Sequence, residues 1–206
     1  MTTTLKIDSI LHKDLKKTSN VDRKKHFQKL RIIKYLYLNG VRTNAEICNT
    51  FNLSLPTAMA LINQLSKEGI IEKQGQGKSL GGRKPDLYAL KKHTFFVLNI
   101  HIDRFNIKLA IVDNSHSIIA EENIPSEISS EVKIVEFLFE YSSNLIERSE
   151  IETDKLLGIG ISMPGLVSSK DGKNFTYYLT GQESESLQTT LKKKFQKPVF
   201  VLNDAK

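Results

Sequence analysis

The chain of 206 residues contains no tryptophan, a single cysteine and no apolar run near the eighteen or so residues of a membrane span. Each absence excludes something. One thiol, Cys48, rules out an intrachain disulfide and any multi-cysteine metal site, and its place in a helical segment marks it as a small buried residue. The opening MTTTLKIDSILHKDLKK lacks the hydrophobic segment of a signal peptide, which with the lone thiol fits a reduced, cytoplasmic setting. No phosphate-binding or dinucleotide glycine fingerprint is present, no nucleophile elbow, and no internal repeat or low-complexity tract. The histidines at 12, 26, 93, 101 and 116 show no ligand spacing with carboxylates or Cys48. No catalytic residue, metal ligand or cofactor is therefore expected.

What is present is ordinary in bulk and uneven in placement. Apolar content of 39% and charged content of 26% suit a soluble globular protein of one or two domains. Residues 1–92 hold 18 Lys/Arg against 7 Asp/Glu, a balance of +11, whereas residues 93–206 carry −4. A basic first half has the electrostatic footprint of a phosphate-backbone binder, and the acidic second half does not.

The basic half also carries the clearest local pattern. Thr43-x-x-Glu46 is a capping box, in which hydroxyl and carboxylate satisfy the first free amides of a helix. That helix breaks at Phe51-Asn52-Leu53. Ser54 then serves as a second N-cap, with Pro56 in the first turn, where a missing amide proton costs nothing. Ala58, Leu61, Ile62 and Leu65 follow at i, i+3, i+4 and i+7, which buries one face, and Gly69 ends the helix. Two helices joined by so short a turn read as a helix-turn-helix whose second helix reads DNA. Ile70 to Lys73 alternates like a strand, Gly75 to Gly82 is a turn-rich tip, and Asp86 to Leu90 returns, forming a wing. A preceding helix, capped by Asp22 and stopped by Asn39-Gly40, takes Phe27, Leu30, Ile33 and Tyr37 as its apolar stripe. It leaves Lys24, Lys25, Lys29 and Lys34 for phosphates. Residues 1–20 read as a basic arm and 21–92 as the winged domain.

Outside its core stripe the second helix offers Ser54, Leu55, Thr57, Met59, Ala60 and Asn63, with Gln64 and Lys67, as candidate DNA-binding residues. Asn and Gln pair bidentately with adenine, while Thr and Ala meet a thymine methyl. The helix has no arginine. Arg83 and Lys84, in Gly81-Gly82-Arg83-Lys84-Pro85, supply the basic pair of the wing, flat enough for a narrow A·T-rich minor groove.

From 93 to 206 the texture is βββαβαβ. Phe95–Ile102, Asn106–Val112 and Ser117–Ile124 read as a meander, with helical period from Glu131 to Glu147. A buried strand at Leu156–Ser162 ends in Met163-Pro164-Gly165, a helix spans Leu187–Lys194, and a last strand at Pro198–Leu202 runs into Asn203-Asp204-Ala205. The fold class expected is α+β or α/β: a winged helix-turn-helix followed by one lobe of a ribonuclease-H-like fold, with a ligand at the strand ends.

Four stretches resemble the ROK family, which gathers sugar-responsive bacterial repressors with sugar kinases. They are Ser54-Leu55-Pro56-Thr57, Gly81 to Pro85, Gly158 to Gly165 (GIGISMPG) and Pro198 to Ala205 (PVFVLNDA). The resemblance implies a winged helix-turn-helix joined to a two-lobed sugar-binding domain of the actin-like ATPase and sugar-kinase fold, of which 93–206 is the first lobe. It implies that Asp204 and Asn203 contact sugar, with Pro164 and Gly165 facing them. The kinases' Asp-x-Gly-x-Thr turn is replaced by His101-Ile102-Asp103-Arg104-Phe105. The acidic residue, glycine and threonine of that pattern are absent, and Phe105 is expected to fill the space where nucleotide phosphates would lie. A second lobe with a Glu-x-Gly-His motif and a zinc site is expected after Lys206 and is not within these residues. Such a chain is expected to bind double-stranded operator DNA as a homodimer, off the membrane, and to respond to a sugar or sugar phosphate without acting as an enzyme. The alternative is a sugar kinase with an appended DNA-binding domain.

Overall fold

The computed structural model describes residues 19–77, 84–125, 134–168, 170–176 and 185–205. The chain divides into two compact units, the first running to Thr94 and the second beginning at Phe95.

The first unit is built from α1 (Asn20–Asn39), β1 (Arg42–Thr43), α2 (Asn44–Phe51), α3 (Leu55–Lys67), β2 (Ile71–Gln76) and β3 (Asp86–Leu90). The strands form an antiparallel sheet in the order β1-β3-β2, which is a wing with one short added strand. The cap of α1 is Ser19 rather than Asp22. The Ser19 hydroxyl accepts the Asp22 amide at 3.1 Å and donates to the Asp22 carboxylate at 2.7 Å, so Asp22 is the acidic partner three residues inside the helix. The apolar stripe of α1 is also turned from the expected one. His26, Ile32, Ile33 and Leu36 are buried while Phe27 is 51% exposed, because His26 occupies the inward place and meets the Phe27 ring edge-on.

Local chemistry set α2 as expected. Thr43 and Glu46 form the complete capping box, with the Glu46 amide donating to Thr43 Oγ1 at 3.1 Å and the Thr43 amide to Glu46 Oε2 at 2.7 Å. Asn52 then adopts φ 50°, the left-handed conformation that asparagine tolerates, and its amide closes the helix on Cys48 and Asn49. Cys48 is half-buried, not enclosed, since only Ile47 of this short helix reaches the core. In α3 the stripe Ala58, Leu61, Ile62 and Leu65 is buried as read, and Gly69 at φ 74° turns the chain into β2.

The second unit consists of β4 (Phe96–Ile102), β5 (Asn106–Asp113), β6 (Ile118–Pro125), α4 (Ile134–Arg148), β7 (Leu156–Met163), α5 (Leu187–Phe195) and β8 (Val199–Asn203). The sheet order is β6-β5-β4-β7-β8; β4, β5 and β6 are antiparallel neighbours, while β7 runs parallel to both β4 and β8. One face of the sheet packs on α4 and α5 through Leu98, Ile100, Leu109, Ile161 and Val201 against Leu138 and Leu191. The other face carries Asn99, His101, Lys108, Ser162, Phe200 and Leu202, of which Phe200 and Leu202 are 62% and 51% exposed. The parallel run β4-β7-β8 brings three strand ends to one edge, which is the position where such sheets place ligands.

Candidate nucleic-acid interface and effector edge

With its stripe fixed to the core, α3 turns Leu55, Thr57, Ala60, Asn63, Gln64 and Lys67 outward. Leu55 is 54% exposed, a large apolar side chain at the leading end of the helix. Ser54 has the extended backbone of an N-cap, but its hydroxyl does not reach an amide. It pairs with Thr57 Oγ1 at 2.8 Å, so the cap expected of its side chain is replaced by a hydroxyl pair at the helix tip. Met59 is half-buried rather than free. The Asn44 side-chain amide approaches its sulfur at 3.7 Å, tying the start of α2 to the middle of α3.

Of the cations on α1, Lys29 is not available to phosphate. Its Nζ lies 2.5 Å from Glu68 Oε1, with both side chains about 15% exposed, which pins α1 to the end of α3. Lys24, Lys25 and Lys34 are exposed. In the wing, Lys73 pairs with Asp86 at 2.7 Å, and Lys84 is exposed beside Pro85. Arg83 and residues 81–82 lie outside the described residues, so the basic tip stands as a reading of the sequence. Arg42 Cζ sits 5.9 Å from the Tyr35 ring and Arg31 Cζ 4.8 Å from that of Phe51, two exposed or half-exposed guanidinium groups held on aromatic faces.

At the strand-end edge of the second unit, hydrogen bonds fix the Pro164-Gly165 turn from two sides. The Asn203 side chain donates to the Gly165 carbonyl at 2.7 Å and accepts from the Ala205 amide at 3.0 Å. Asn174, buried, donates to the Pro164 carbonyl at 2.9 Å and accepts from the Thr176 amide at 2.8 Å. The Thr176 hydroxyl in turn accepts the Leu166 amide at 2.9 Å. Gly165 sits at φ 97°, and a Cβ there would lie 2.8 Å from Thr176 Cβ, so only glycine fits. The Asp204 amide donates to the Met163 carbonyl at 3.1 Å, while its carboxylate is exposed and accepts no hydrogen bond among the described residues. Asn203, Asp204, Pro164 and Gly165 are thus brought together. Asn203 works as a latch on the turn. Asn174 and Thr176 complete that latch and were missed, because nothing in their spacing signals a contact ten residues back.

The β4–β5 turn differs from expectation. Phe105 does not fill a cavity; it is 57% exposed. The Asp103 carboxylate accepts the amides of Phe105 and Asn106, both at 2.7 Å, and these bonds hold its pKa below the ordinary carboxylate value. His101 Nδ1 pairs with Ser162 Oγ at 2.8 Å. Among the described residues no group of three metal-ligating side chains gathers, and no helix is long and apolar enough to cross a membrane.

Comparisons with known proteins match the two units separately. A family profile described as "ROK family" matches residues 97–206, and one described as "Winged helix-turn-helix DNA-binding" matches 28–72. The chain is 26% identical over 182 residues to a xylose repressor of Caldicellulosiruptor bescii, covering 88% of this chain and 46% of that protein. It is 28% identical to the xylose repressor of Bacillus spizizenii, at 88% and 47% coverage. Over 185 residues it is 22% identical to the DNA-binding transcriptional dual regulator NagC of Escherichia coli, covering 90% and 46%. The chain therefore spans about half the length of the curated relatives it matches. Among solved structures, a ROK family transcriptional regulator described as a homolog of E. coli MLC superposes with a TM-score of 0.64 at 18% identity. That match covers 89% of this chain and 46% of that one, and it shows the shared fold.

Proposed function

This chain belongs to the ROK family, and from that premise we propose that it is the DNA-binding and first effector-lobe portion of a sugar-responsive transcriptional repressor. The observation that carries the reading is a winged helix-turn-helix, in a basic half of the chain, whose α3 keeps Thr57, Ala60, Asn63 and Gln64 outward while its apolar stripe packs on the core. Relatives named as xylose repressors and as a dual regulator support the regulatory role over catalysis. Operator DNA is read by α3 through Leu55, Thr57, Ala60 and Asn63, with Ser54 and Met59 shaping the helix, and by Arg83 and Lys84 of the wing. One recognition helix covers only a few base pairs, so two copies read a pseudo-palindrome in half-sites about one helical turn or a multiple apart. The protein acts in the cytoplasm, on chromosomal DNA.

The effector reading is a sugar or sugar phosphate at the Asn203-Asp204 edge. Asp204 offers an unengaged carboxylate to a sugar hydroxyl, and the latched Pro164-Gly165 turn forms the facing wall. The kinase alternative needs backbone approach to nucleotide phosphates. The β4–β5 turn instead projects Arg104 and Phe105.

Selection on random duplex DNA, with and without candidate sugars, tests the reading. A pseudo-palindromic sequence should be enriched, and a sugar should reduce its binding in the gene-length protein. Asp204→Ala should abolish that sugar response and leave operator affinity unchanged. Equal affinity for all duplexes would leave only a nonspecific nucleic-acid binder, and sugar-dependent ATP turnover would reinstate the kinase.

A further inference from the structure

The recognition helix of this chain carries little charge of its own. Of the residues that α3 turns outward, Leu55, Thr57, Ala60, Asn63 and Gln64 are neutral, and only Lys67, at the far end, is a cation. Duplex DNA is held largely through its phosphates, and a helix of this composition does not supply that attraction. Neighbouring lysines are partly committed, Lys29 to Glu68 and Lys73 to Asp86. The cations that grip the DNA backbone therefore belong to elements beside α3.

Two arginines stand at the two ends of α2, the helix of the pair that crosses the sugar-phosphate backbone while its partner enters the major groove. Arg42 immediately precedes the Thr43 cap, and its Cζ lies 5.9 Å from the Tyr35 ring. Arg31 comes from α1, and its Cζ lies 4.8 Å from the ring of Phe51, the last residue of α2. The two rings meet edge to face at 5.5 Å and 82°, so Arg31, Phe51, Tyr35 and Arg42 form one continuous stack. Eight residues of helix set its ends about 12 Å apart, about three nucleotides of rise along one strand. Phe51 precedes the Ser54 cap of α3 by one short turn, which puts the Arg31 guanidinium beside the leading end of the recognition helix. Arg31 is exposed and has no carboxylate in ion-pair reach among the described residues. Arg42 meets Glu46 only through Nε at 3.8 Å and donates from Nη1 to the Val41 carbonyl at 2.7 Å, which leaves Nη2 open. A guanidinium stacked on a ring is restrained before the anion arrives and keeps its in-plane N–H groups for phosphate oxygens.

We propose that Arg31 and Arg42 are a clamp on the DNA backbone: each guanidinium binds a phosphate of the strand that α2 crosses, and Phe51 and Tyr35 are the racks that fix them. This rests on the DNA-binding reading above and adds to it two residues outside both α3 and the wing. The neutral face of α3 then reads base edges, while the arginines set the register of the helix on the duplex and carry no sequence information themselves.

The test is fluorescence anisotropy of the 206-residue chain over a range of KCl, on a duplex enriched by selection and on a scrambled duplex of the same length. R31Q and R42Q should each lower the slope of log affinity on log salt by about 1 and weaken binding about eight-fold at about 0.1 M KCl, equally on both duplexes. R31K keeps the charge without the planar fork, so it should keep the slope and part of the affinity. K24Q removes the same charge from an exposed lysine of α1 with no ring beneath it among the described residues, and should cost about two-fold or less. Neutral methylphosphonates placed one at a time in the enriched duplex should weaken the unaltered chain at two positions of one strand. R31Q should be indifferent to one of them and R42Q to the other. Unchanged thermal unfolding certifies that the variants are folded. Affinity and slope unchanged in R31Q and R42Q would reduce the arginines to covers for the rings and overturn the inference. Losses no larger than that of K24Q, losses confined to the enriched duplex, or sensitive phosphates on opposite strands would also overturn it, while DNA binding stands. If the unaltered chain binds neither duplex, the DNA-binding reading itself falls.

Discussion

The two units use their polar side chains in opposite ways. In the first, the outward face of α3 is left uncommitted: Thr57 and Ser54 bond only to each other, and Asn63, Gln64 and Lys67 face solvent. In the second, Asn203, Asn174 and Thr176 each bond to the backbone of the 164–166 turn, Asn203 and Asn174 also accept amides of their own loops, and the Asp204 carboxylate accepts no hydrogen bond among the described residues. A DNA reader must adapt to base edges that change along a duplex, and free amides on a rigid helix do that. A small-molecule edge must hold one shape, and a clamped turn does that. Rigidity comes from the helix core in one case and from side-chain bonds to the main chain in the other.

Three substitutions probe that contrast, beginning with the largest effect. Lys29→Met removes one partner of a half-buried ion pair and leaves Glu68 with its enclosed Oε2 already unpartnered. Stripping one partner from such a pair and leaving an enclosed oxygen unpaired costs about 1–3 kcal/mol. The first unit should unfold at markedly lower urea, seen in its own transition, while the second unit is unmoved. A single shifted transition for both units would mean that they do not unfold separately and would blur the comparison.

Asn174→Ala removes the side chain that bridges Pro164 and Thr176. Leaving a part-buried carbonyl unpaired costs about 1 kcal/mol. The expected outcome is a lower melting temperature for the second unit, faster amide exchange at Leu166 and unchanged DNA affinity. Unchanged exchange at Leu166 would show that Thr176 and Asn203 hold the turn without it.

The smallest effect concerns acid. The Thr43 amide, and then the Thr43 hydroxyl, lower the pKa of Glu46 below its ordinary value of 4.5. The folded state therefore releases this proton more readily than the unfolded state. Its contribution is fully present above about pH 4.5 and is lost as pH falls through the lower folded value. The side chain is half exposed, so the effect is small. Glu46→Gln should flatten the acid limb of the first unit's melting temperature between neutral pH and pH 3, with no change in the second. An acid limb of the same steepness in the variant would assign it to other carboxylates.

What could be read from the sequence was local. The Thr43–Glu46 box, the Ser54-x-Pro56 start, the i, i+3, i+4, i+7 stripe of α3 and the βββαβαβ order depend on residues within a few positions of one another. All of these features recur in the structure. The Asn203-Asp204 and Pro164-Gly165 pairing came from resemblance to a family, and the structure places them side by side. What was not legible is tertiary. The Lys29–Glu68 pair joins residues 39 apart, and a lysine on a helix face looks the same whether it meets a phosphate or a carboxylate. The stripe of α1 was not legible because Phe27 outranks His26 in hydrophobicity, yet His26 lies on the inward face with Ile32, Ile33 and Leu36.

Strand β8 has a consequence for how the protein behaves in solution. Its residues Val199, Phe200, Val201 and Leu202 are apolar on both faces, two turned inward and two outward, and it is the last strand in the sheet order. Among the described residues no strand pairs with its outer side, where Gln188 Oε1 accepts the Val201 amide at 3.2 Å and covers one donor; the rest of this short, uncharged border has no lysine or proline within the strand to discourage a visitor. Concentration, and not temperature, is then the first limit on handling these 206 residues. Turbidity should appear as the stock is concentrated well before either unit begins to melt, and a lysine at position 200 is the natural gatekeeper.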